Sequence, residues 1–289
     1  MNNPDLEGYI AEIFSSIQGE GGTVRGSCFG KRQIFIRFAG CNIANGAFKS
    51  TGCFWCDTPQ AQILEMEYLN YEKIPCSQEF ERMKNPIKIS EIIQIVENLI
   101  TPDLHSISLT GGEPLYQLDF IKELIKVLNS AQAQLNYPLY LETNGSIIPY
   151  ENDLKELAKS IKYCCCDIKD KSSNAALLFN WKNLVNNELE FISKMIHYGV
   201  ETFAKIVVTS QTQIQDIQWI SKKLSEIKYP NGENVSLAIQ PVSLENEDLK
   251  AKYSISISHL NEIFYTSAEY LNPESLSLSI QAHKYLKLL

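Results

Sequence analysis

The sequence predicts an α/β fold built on a mostly parallel sheet, and three observations carry that reading. From residue 90 onward short apolar strands alternate with helical stretches, the pattern of crossover units. The strands end, one after another, in glycine or polar residues, where parallel α/β folds gather their ligands. Upstream, a strongly apolar segment runs directly into three closely spaced cysteines, Cys41, Cys53 and Cys56.

The elements follow in order. Residues 8–14 read as a short strand, followed by Ser15-Ser16-Ile17-Gln18-Gly19-Glu20-Gly21-Gly22, whose glycines permit positive φ and close backbone approach. Residues 33–38 form a second strand with Ile34 and Ile36 on one face and Phe35 and Arg37 on the other, which places Arg37 near Cys41. Residues 60–88 are poorly periodic and read as an irregular excursion. Ser90 reads as the N-cap of a helix in which Ile92, Ile93, Val96, Leu99 and Ile100 recur at helical spacing.

Strands are then expected over 105–109, 139–142, 163–167, 203–208, 235–240 and 276–280. Helices are expected over 119–130, 152–161, 188–198 and 212–227, with a helical region before Asn272. The strand ends read Thr110-Gly111-Gly112-Glu113-Pro114, Glu142-Thr143-Asn144-Gly145, Asp167-Ile168-Lys169 and Gln240-Pro241. Each is ordinary turn chemistry alone, but four in phase with the strands describe one rim.

At 289 residues the chain suits one large domain, expected to span 1–289. Apolar residues at 44% and charged residues at 21% are ordinary for a globular protein, and no stretch approaches the roughly 20 apolar residues of a membrane span. A net charge of -8 and a pI near 5.2 argue against a nucleic-acid surface, which needs Lys and Arg to neutralise phosphates. The polar, acidic start Met1-Asn-Asn-Pro-Asp-Leu-Glu is unlike a signal peptide, so a cytoplasmic protein is expected. Eight cysteines in such a compartment serve as ligands or buried thiols rather than disulfides.

The cysteine spacing is Cys41-x11-Cys53-x2-Cys56. A Cys-x2-Cys pair is shared by zinc knuckles, redox motifs and iron-sulfur loops, so the spacing alone leaves zinc, an iron-sulfur cluster and unligated thiols open. Three thiolates suit an incomplete set: structural zinc takes four closed ligands, and a protein-only cluster usually takes four cysteines. A four-iron cluster with one iron left open is where S-adenosylmethionine can chelate and be cleaved reductively to a radical. The eleven-residue gap implies an inserted loop, turned by Gly46 and Gly52.

With these residues in hand the chain resembles the radical S-adenosylmethionine superfamily, through Cys53-x2-Cys56, Gly111-Gly-Glu-Pro114 and Glu142-Thr-Asn-Gly145. Within it, the 7-carboxy-7-deazaguanine synthases are resembled through Ser16-Ile-Gln-Gly-Glu-Gly21, Phe35-Ile-Arg-Phe-Ala-Gly-Cys41, the lengthened cysteine gap, Cys56-Asp-Thr58 and Gln281-Ala-His283-Lys-Tyr-Leu. The resemblance implies a partial (β/α) barrel with an extended cluster loop over 41–56 at the strand ends and a substrate-capping tail over 276–289. It also implies a reaction. A 5′-deoxyadenosyl radical takes hydrogen from C6 of 6-carboxy-5,6,7,8-tetrahydropterin, the ring contracts, ammonia leaves and 7-carboxy-7-deazaguanine results, feeding queuosine or archaeosine synthesis. Hydrogen returns from 5′-deoxyadenosine, so S-adenosylmethionine acts catalytically.

Roles are implied by position. Cys41, Cys53 and Cys56 match the ligands of a [4Fe-4S] cluster. Trp55, Asp57, Gly112, Glu113, Asn144, Asp167, Ile168, Lys169 and Gln240 match contacts to S-adenosylmethionine. Thr58 matches a Mg2+ ligand, a hard oxygen for a hard cation. Ile17, Gln18 and Gly19 are expected to read the pterin edge through main-chain groups, with Glu20 and Thr110 beside them, and Arg37 to pair bidentately with the substrate carboxylate. Gln281, His283 and Leu289 match a tail folding over the substrate, against the plainer reading of His283 as a packing residue. The implied partners are a pterin, a reducing donor such as flavodoxin or ferredoxin and a second copy in a homodimer, with no nucleic acid and no membrane.

Two departures mark this chain. Relatives often have Ser-Pro-Lys where it has Asp167-Ile168-Lys169, so only the lysine carries over. The run Cys164-Cys165-Cys166 cannot all reach one cluster, because neighbouring strand residues face opposite sides; buried core positions are expected for them, and structural roles for Cys28 and Cys76. The rival readings are a glycyl-radical activating enzyme, which acts on a protein, and a noncatalytic metal-binding module.

Overall fold

A computed structural model describes residues 2–130, 137–286 and 288. Its elements are β1 (Glu7–Gly8), β2 (Ile10–Ile17), β3 (Arg32–Phe38), β4 (Tyr68–Glu72), β5 (Phe80–Lys84), β6 (Ile87–Lys88), α1 (Ile89–Asn98), β7 (Leu104–Gly111), α2 (Leu118–Leu128) and β8 (Leu139–Thr143). They continue with α3 (Glu151–Ser160), β9 (Ile161–Ile168), α4 (Trp181–His197), β10 (Glu201–Val208), α5 (Ile214–Glu226), β11 (Ser236–Pro241), α6 (Glu247–Tyr253), α7 (Ile257–Ala268), β12 (Leu276–Leu278) and α8 (Ala282–Tyr285).

The main sheet has ten strands in the order β12-β11-β10-β9-β8-β7-β3-β2-β4-β5. Every pairing from β3 to β12 is parallel, as the strand-helix alternation requires. The antiparallel pairing of β2 with β3 follows from the Gly-rich turn that reverses the chain between them. The sheet is strongly curled. Laid flat, β2 and β11 would stand six strand spacings apart, about 29 Å. Yet Gln240 at the end of β11 reaches Glu20, just past β2, at 3.4 Å.

Curling gives the sheet two unlike faces. The outer face carries the apolar alternate residues, such as Ile34 and Ile36 of β3 and Cys164 and Cys166 of β9, and packs them against α1 to α5 in one large core. The inner face holds a smaller cluster of Val24, Tyr140, Cys165, Phe203 and Ala238. Among the described residues no helix is long and apolar enough to cross a membrane.

Five expectations are corrected. Residues 60–88 hold an antiparallel hairpin, β4 with β5, added to the open edge of β2. Its polar composition, Tyr68-Leu-Asn-Tyr-Glu72 and Phe80-Glu-Arg-Met-Lys84, suits an edge strand and hides the alternation. Helix α1 begins at Ile89, before the expected cap Ser90; Lys88 is the cap, and its N–H donates to Glu91 Oε2 at 3.0 Å. Helix α4 starts at Trp181 rather than near 188, because Trp181, Leu184 and Val185 extend its buried stripe. The helical region before Asn272 is two helices, α6 and α7, and β12 ends at Leu278.

Candidate active site

One cavity opens at the carboxyl ends of the parallel strands, and its lining gathers the predicted residues from across the chain. Cys41, Cys53, Cys56, Trp55, Asp57 and Thr58 come from the cluster loop. Arg37 comes from β3, and Ile17, Gln18, Gly19 and Glu20 from the glycine-rich turn. Thr110, Gly112, Asn144, Asp167, Ile168, Lys169 and Gln240 come from the strand-end rim, and Gln281 and His283 from the tail. Leu289 lies outside the described residues, and Glu113 stands behind the lining.

The three cysteines are free thiols. Burial pushes Cys53 up to about 12; Lys169 pulls the other way, and Asp167, Cys41 and Cys56 add to the rise, so the three sulfurs lie within electrostatic reach of one another. Burial also raises Cys41. Thiols held protonated in this way become ligands only by losing a proton to a metal. Among the described residues no three His, Cys, Asp or Glu side chains converge tightly enough to hold a single ion. Three thiols lining one cavity match the three protein-held corners of a multi-iron cluster and are one ligand short of a closed tetrahedral zinc site.

The loop that carries them is held from below. Gly112 packs so closely that a Cβ there would stand 2.2 Å from Gly40 O and 2.4 Å from Ala61 O. Its N–H donates to Phe38 O at 3.0 Å, and Glu113 N donates to Gly40 O at 2.8 Å. The fully buried Glu113 carboxylate accepts from Thr143 Oγ1 at 2.7 Å, Asn144 N at 2.7 Å and Leu115 N at 3.0 Å. Burial raises its pKa against those bonds. Glu113 therefore holds Asn144 in place from behind the lining. Asn144 in turn donates to Asn42 Oδ1 at 3.0 Å, tying β8 to the cluster loop.

At the end of β9, the Lys169 ammonium pairs with Asp167, and its main-chain N–H donates to the Glu188 carboxylate behind, at 3.2 Å to Oε2. Burial disfavours the Lys169 charge, but Asp167 and Cys53 outweigh it and raise the pKa. The other oxygen of Asp167, Oδ1, is buried with no hydrogen-bond partner among the described residues. Asp167 as a residue lines the cavity, and a buried acceptor without a donor there is open to a new hydrogen bond.

The opposite wall contains two residues absent from the sequence-based site, Lys205 of β10 and Glu142 of β8. Lys205 pairs with Glu20. Glu20 also accepts from Gln281 Nε2 at 2.7 Å. Burial would raise the Glu20 pKa, yet Lys205 and Gln281 bring it down to about 2. Glu142 accepts from Gln18 Nε2 at 2.7 Å and Thr110 Oγ1 at 2.8 Å, and burial raises it. A lysine inside Phe203-Ala-Lys-Ile-Val reads as a solvent-facing alternate; its register with Asp167 across β9 and β10 is the signal that could have placed it inside.

Arg37 is held by Glu12 at 3.0 Å and lies over the Phe14 ring, with its centroid 5.4 Å away. Phe14 stacks on Phe35, giving the cavity a flat apolar wall beside a guanidinium. The main-chain groups expected to read a ligand at Gln18 are already used, its N–H by Lys31 O and its C=O by Gly30 N, both at 2.9 Å. Its side chain faces the cavity instead. The tail docks on the same turn: Ala282 N donates to Gly19 O at 3.0 Å, and a Cβ on Gly19 would meet His283 Nδ1 at 2.4 Å. Burial lowers the His283 pKa, with Glu20 and Asp57 opposing.

The remaining cysteines follow expectation in part. Cys164, Cys165 and Cys166 are buried, and burial raises all three thiols. Cys165 nonetheless reaches the cavity floor. Cys28 packs against the inner cluster, whereas Cys76 is exposed on the hairpin loop, beside Arg32.

The family model of the radical SAM superfamily matches residues 36–224. The chain is 35% identical over 281 residues to the 7-carboxy-7-deazaguanine synthase of Thermococcus kodakarensis, covering 97% of this chain and 98% of that protein. It is 35% identical over 283 residues to the 7-carboxy-7-deazaguanine synthase of Methanocaldococcus jannaschii, covering 97% and 100%. In fold it is similar to the crystal structure of QueE from Escherichia coli, with a TM-score of 0.52, 17% identity and coverage of 95% of this chain and 93% of that one. It is also similar in fold to native anSMEcpe with bound AdoMet and Kp18Cys peptide, with a TM-score of 0.51, 19% identity and coverage of 85% and 63%. The chain therefore belongs to the radical SAM superfamily, and within it to the family of the 7-carboxy-7-deazaguanine synthases.

Proposed function

We propose that this cavity converts 6-carboxy-5,6,7,8-tetrahydropterin into 7-carboxy-7-deazaguanine by radical ring contraction with loss of ammonia. One observation carries the reading: the three cluster cysteines and the guanidinium of Arg37 line the same cavity, so a radical source and an anchor for a substrate carboxylate face each other. When bound, the [4Fe-4S] cluster and S-adenosylmethionine supply a 5′-deoxyadenosyl radical that takes hydrogen from C6 of the pterin.

The chain's own residues do the rest. Cys41, Cys53 and Cys56 hold three corners of the cluster and leave the fourth to S-adenosylmethionine. The Gly112 backbone receives its amino group, and Asp167, beside it in the lining, takes a ribose hydroxyl. Trp55, Asp57, Asn144, Ile168, Lys169 and Gln240 complete that side. Arg37 binds the substrate carboxylate as a forked donor while the Phe14 and Phe35 wall covers one face of the pterin. Glu20, held ionised by Lys205, and Glu142 offer acceptors to the pterin N–H groups. Gln281 and His283 exclude water from above.

Thr58 supplies a hydroxyl to Mg2+, which screens the substrate's charge. The reductant is a small one-electron carrier such as flavodoxin or ferredoxin, and the assembly is a homodimer. The tail already lies across the glycine-rich turn, which disfavours a glycyl-radical activating enzyme that must admit a peptide. The test is anaerobic turnover of the reconstituted protein with dithionite, S-adenosylmethionine, Mg2+ and the pterin. Chromatography is expected to show 7-carboxy-7-deazaguanine and ammonia, with many product molecules per S-adenosylmethionine. S-adenosylmethionine cleavage with the pterin recovered unchanged would refute the assignment.

A further inference from the structure

Beside the cluster loop, three consecutive apolar side chains face solvent: Leu177, Leu178 and Phe179, with Leu178 77% and Phe179 68% exposed. Phe54, between two of the cluster cysteines, is also exposed. Such a run on one surface marks an interaction site more often than packing. The segment is stitched to the cluster loop. Leu177 N donates to Phe48 O at 3.2 Å, Asn180 Nδ2 to the same oxygen at 3.4 Å, and Phe54 N to Ser173 O at 2.8 Å. Cys53, Cys41, Phe48 and Ala176 all pack against one small buried cluster of Ile43, Ala175 and Leu184. The exposed apolar run thus follows directly in sequence on Ala175 and Ala176, which belong to the same small cluster as two of the cluster cysteines.

The charge of this surface is opposite to that of the chain as a whole. The chain carries a net -8, yet residues 41–56 and 171–187 contain no Asp or Glu and do contain Lys49, Lys171 and Lys182. Lys49 and Lys182 are exposed, and the Lys49 ammonium lies 5.3 Å from the Phe179 ring centroid. Lys171 is turned to Asp216 at 2.7 Å. An apolar centre flanked by lysines that lie over aromatic rings and form no ion pair among the described residues complements a partner with an apolar contact ringed by carboxylates.

We propose that Leu177, Leu178, Phe179 and Phe54, flanked by Lys49 and Lys182, form the docking surface for a small acidic one-electron carrier protein that reduces the cluster. The inference rests on the function proposed above. In the step, one electron leaves the carrier, which is oxidised by one, and the cluster is reduced by one; no proton or bond moves.

The test uses holoenzyme and an acidic ferredoxin, reduced beforehand and freed of its reductant. In Leu178→Glu/Phe179→Glu the second-order rate of cluster reduction by ferredoxin is expected to fall at least about tenfold, the loss of one well-packed apolar anchor. The rate with dithionite should not change. Carbodiimide treatment of the ferredoxin mixture should cross-link Lys49 or Lys182 to ferredoxin carboxylates, and Lys49→Glu/Lys182→Glu should slow reduction and flatten its dependence on salt. An unchanged ferredoxin rate overturns the proposal. So does an equal fall with dithionite, which would make the segment a support of the cluster loop. A halved sedimentation mass would overturn it too, since a second copy would then cover the patch. Failure of the wild-type protein to make the deazaguanine with dithionite would count against the function while leaving the docking measurement readable.

Discussion

Replacing Lys205 by methionine removes the cation that holds Glu20 ionised inside the cavity wall while keeping most of the side chain's volume. Both side chains are well buried, 11% exposed for Lys205 and 16% for Glu20, so solvent does little to compensate. Burial alone would push the Glu20 carboxyl above its usual 4.5, and the pairing brings it to about 2. A depression of that size corresponds to about 3 kcal/mol. Leaving a buried charge unpaired costs about 3–5 kcal/mol, and the two figures agree. Because the folded-state value lies below the unfolded one, this contribution is complete above about pH 4.5 and is lost as the pH falls toward 2. Anaerobic urea unfolding at matched cluster loading should therefore show Lys205→Met destabilised by about 3 kcal/mol at pH 7, the difference shrinking below pH 4.5. Glu20→Gln should cost less in the Lys205→Met background than in wild type. Additive losses, or a Lys205→Met midpoint equal to wild type at pH 7, would refute the pairing as the source of the low carboxyl value.

Six other substitutions separate the parts of the site. Arg37→Ala should lower kcat/KM for the pterin by about 2–3 kcal/mol, roughly 30- to 150-fold, while uncoupled S-adenosylmethionine cleavage persists; loss of both together would contradict a carboxylate anchor. Gly112→Ala sets a methyl against two backbone carbonyls that cannot step aside, so iron retained after reconstitution should drop along with stability, and full iron content would contradict the close packing. Cys164→Ala should keep full iron content and lose about 1 kcal/mol in urea unfolding, whereas Cys41→Ala, Cys53→Ala and Cys56→Ala should each fail to hold the cluster.

The parallel half of the fold was legible because its strands are buried on both sides and its helices are amphipathic, so local periodicity reports tertiary position. The rim was legible for a related reason: glycine at 111 and 112 and polar residues at 142, 144, 167 and 240 break otherwise apolar strands at their carboxyl ends. The hairpin of β4 and β5 was not, because at the wet margin of the sheet β4 carries Asn70 and the edge strand β5 carries Glu81 and Arg82 where a fully buried strand carries valine or isoleucine. Lys205 was missed for a topological reason. Its strand alternates correctly, but only the curl of the sheet decides which alternate face meets water and which meets Glu20. Gln18 illustrates the limit at atomic scale: its motif marked a residue of the cavity lining, while the bonds with Lys31 and Gly30 use up its main chain and those with Gln33, Glu142 and Glu20 engage its side chain, so it braces the wall.

The central claim is that three thiolates leave one iron of the cluster open to S-adenosylmethionine, and the electron paramagnetic resonance spectrum of the reduced, reconstituted protein tests it most directly. The account predicts a four-iron signal that changes shape when S-adenosylmethionine is added and disappears in Cys53→Ala. A signal indifferent to S-adenosylmethionine, or a protein that takes up one zinc and no iron, would contradict it.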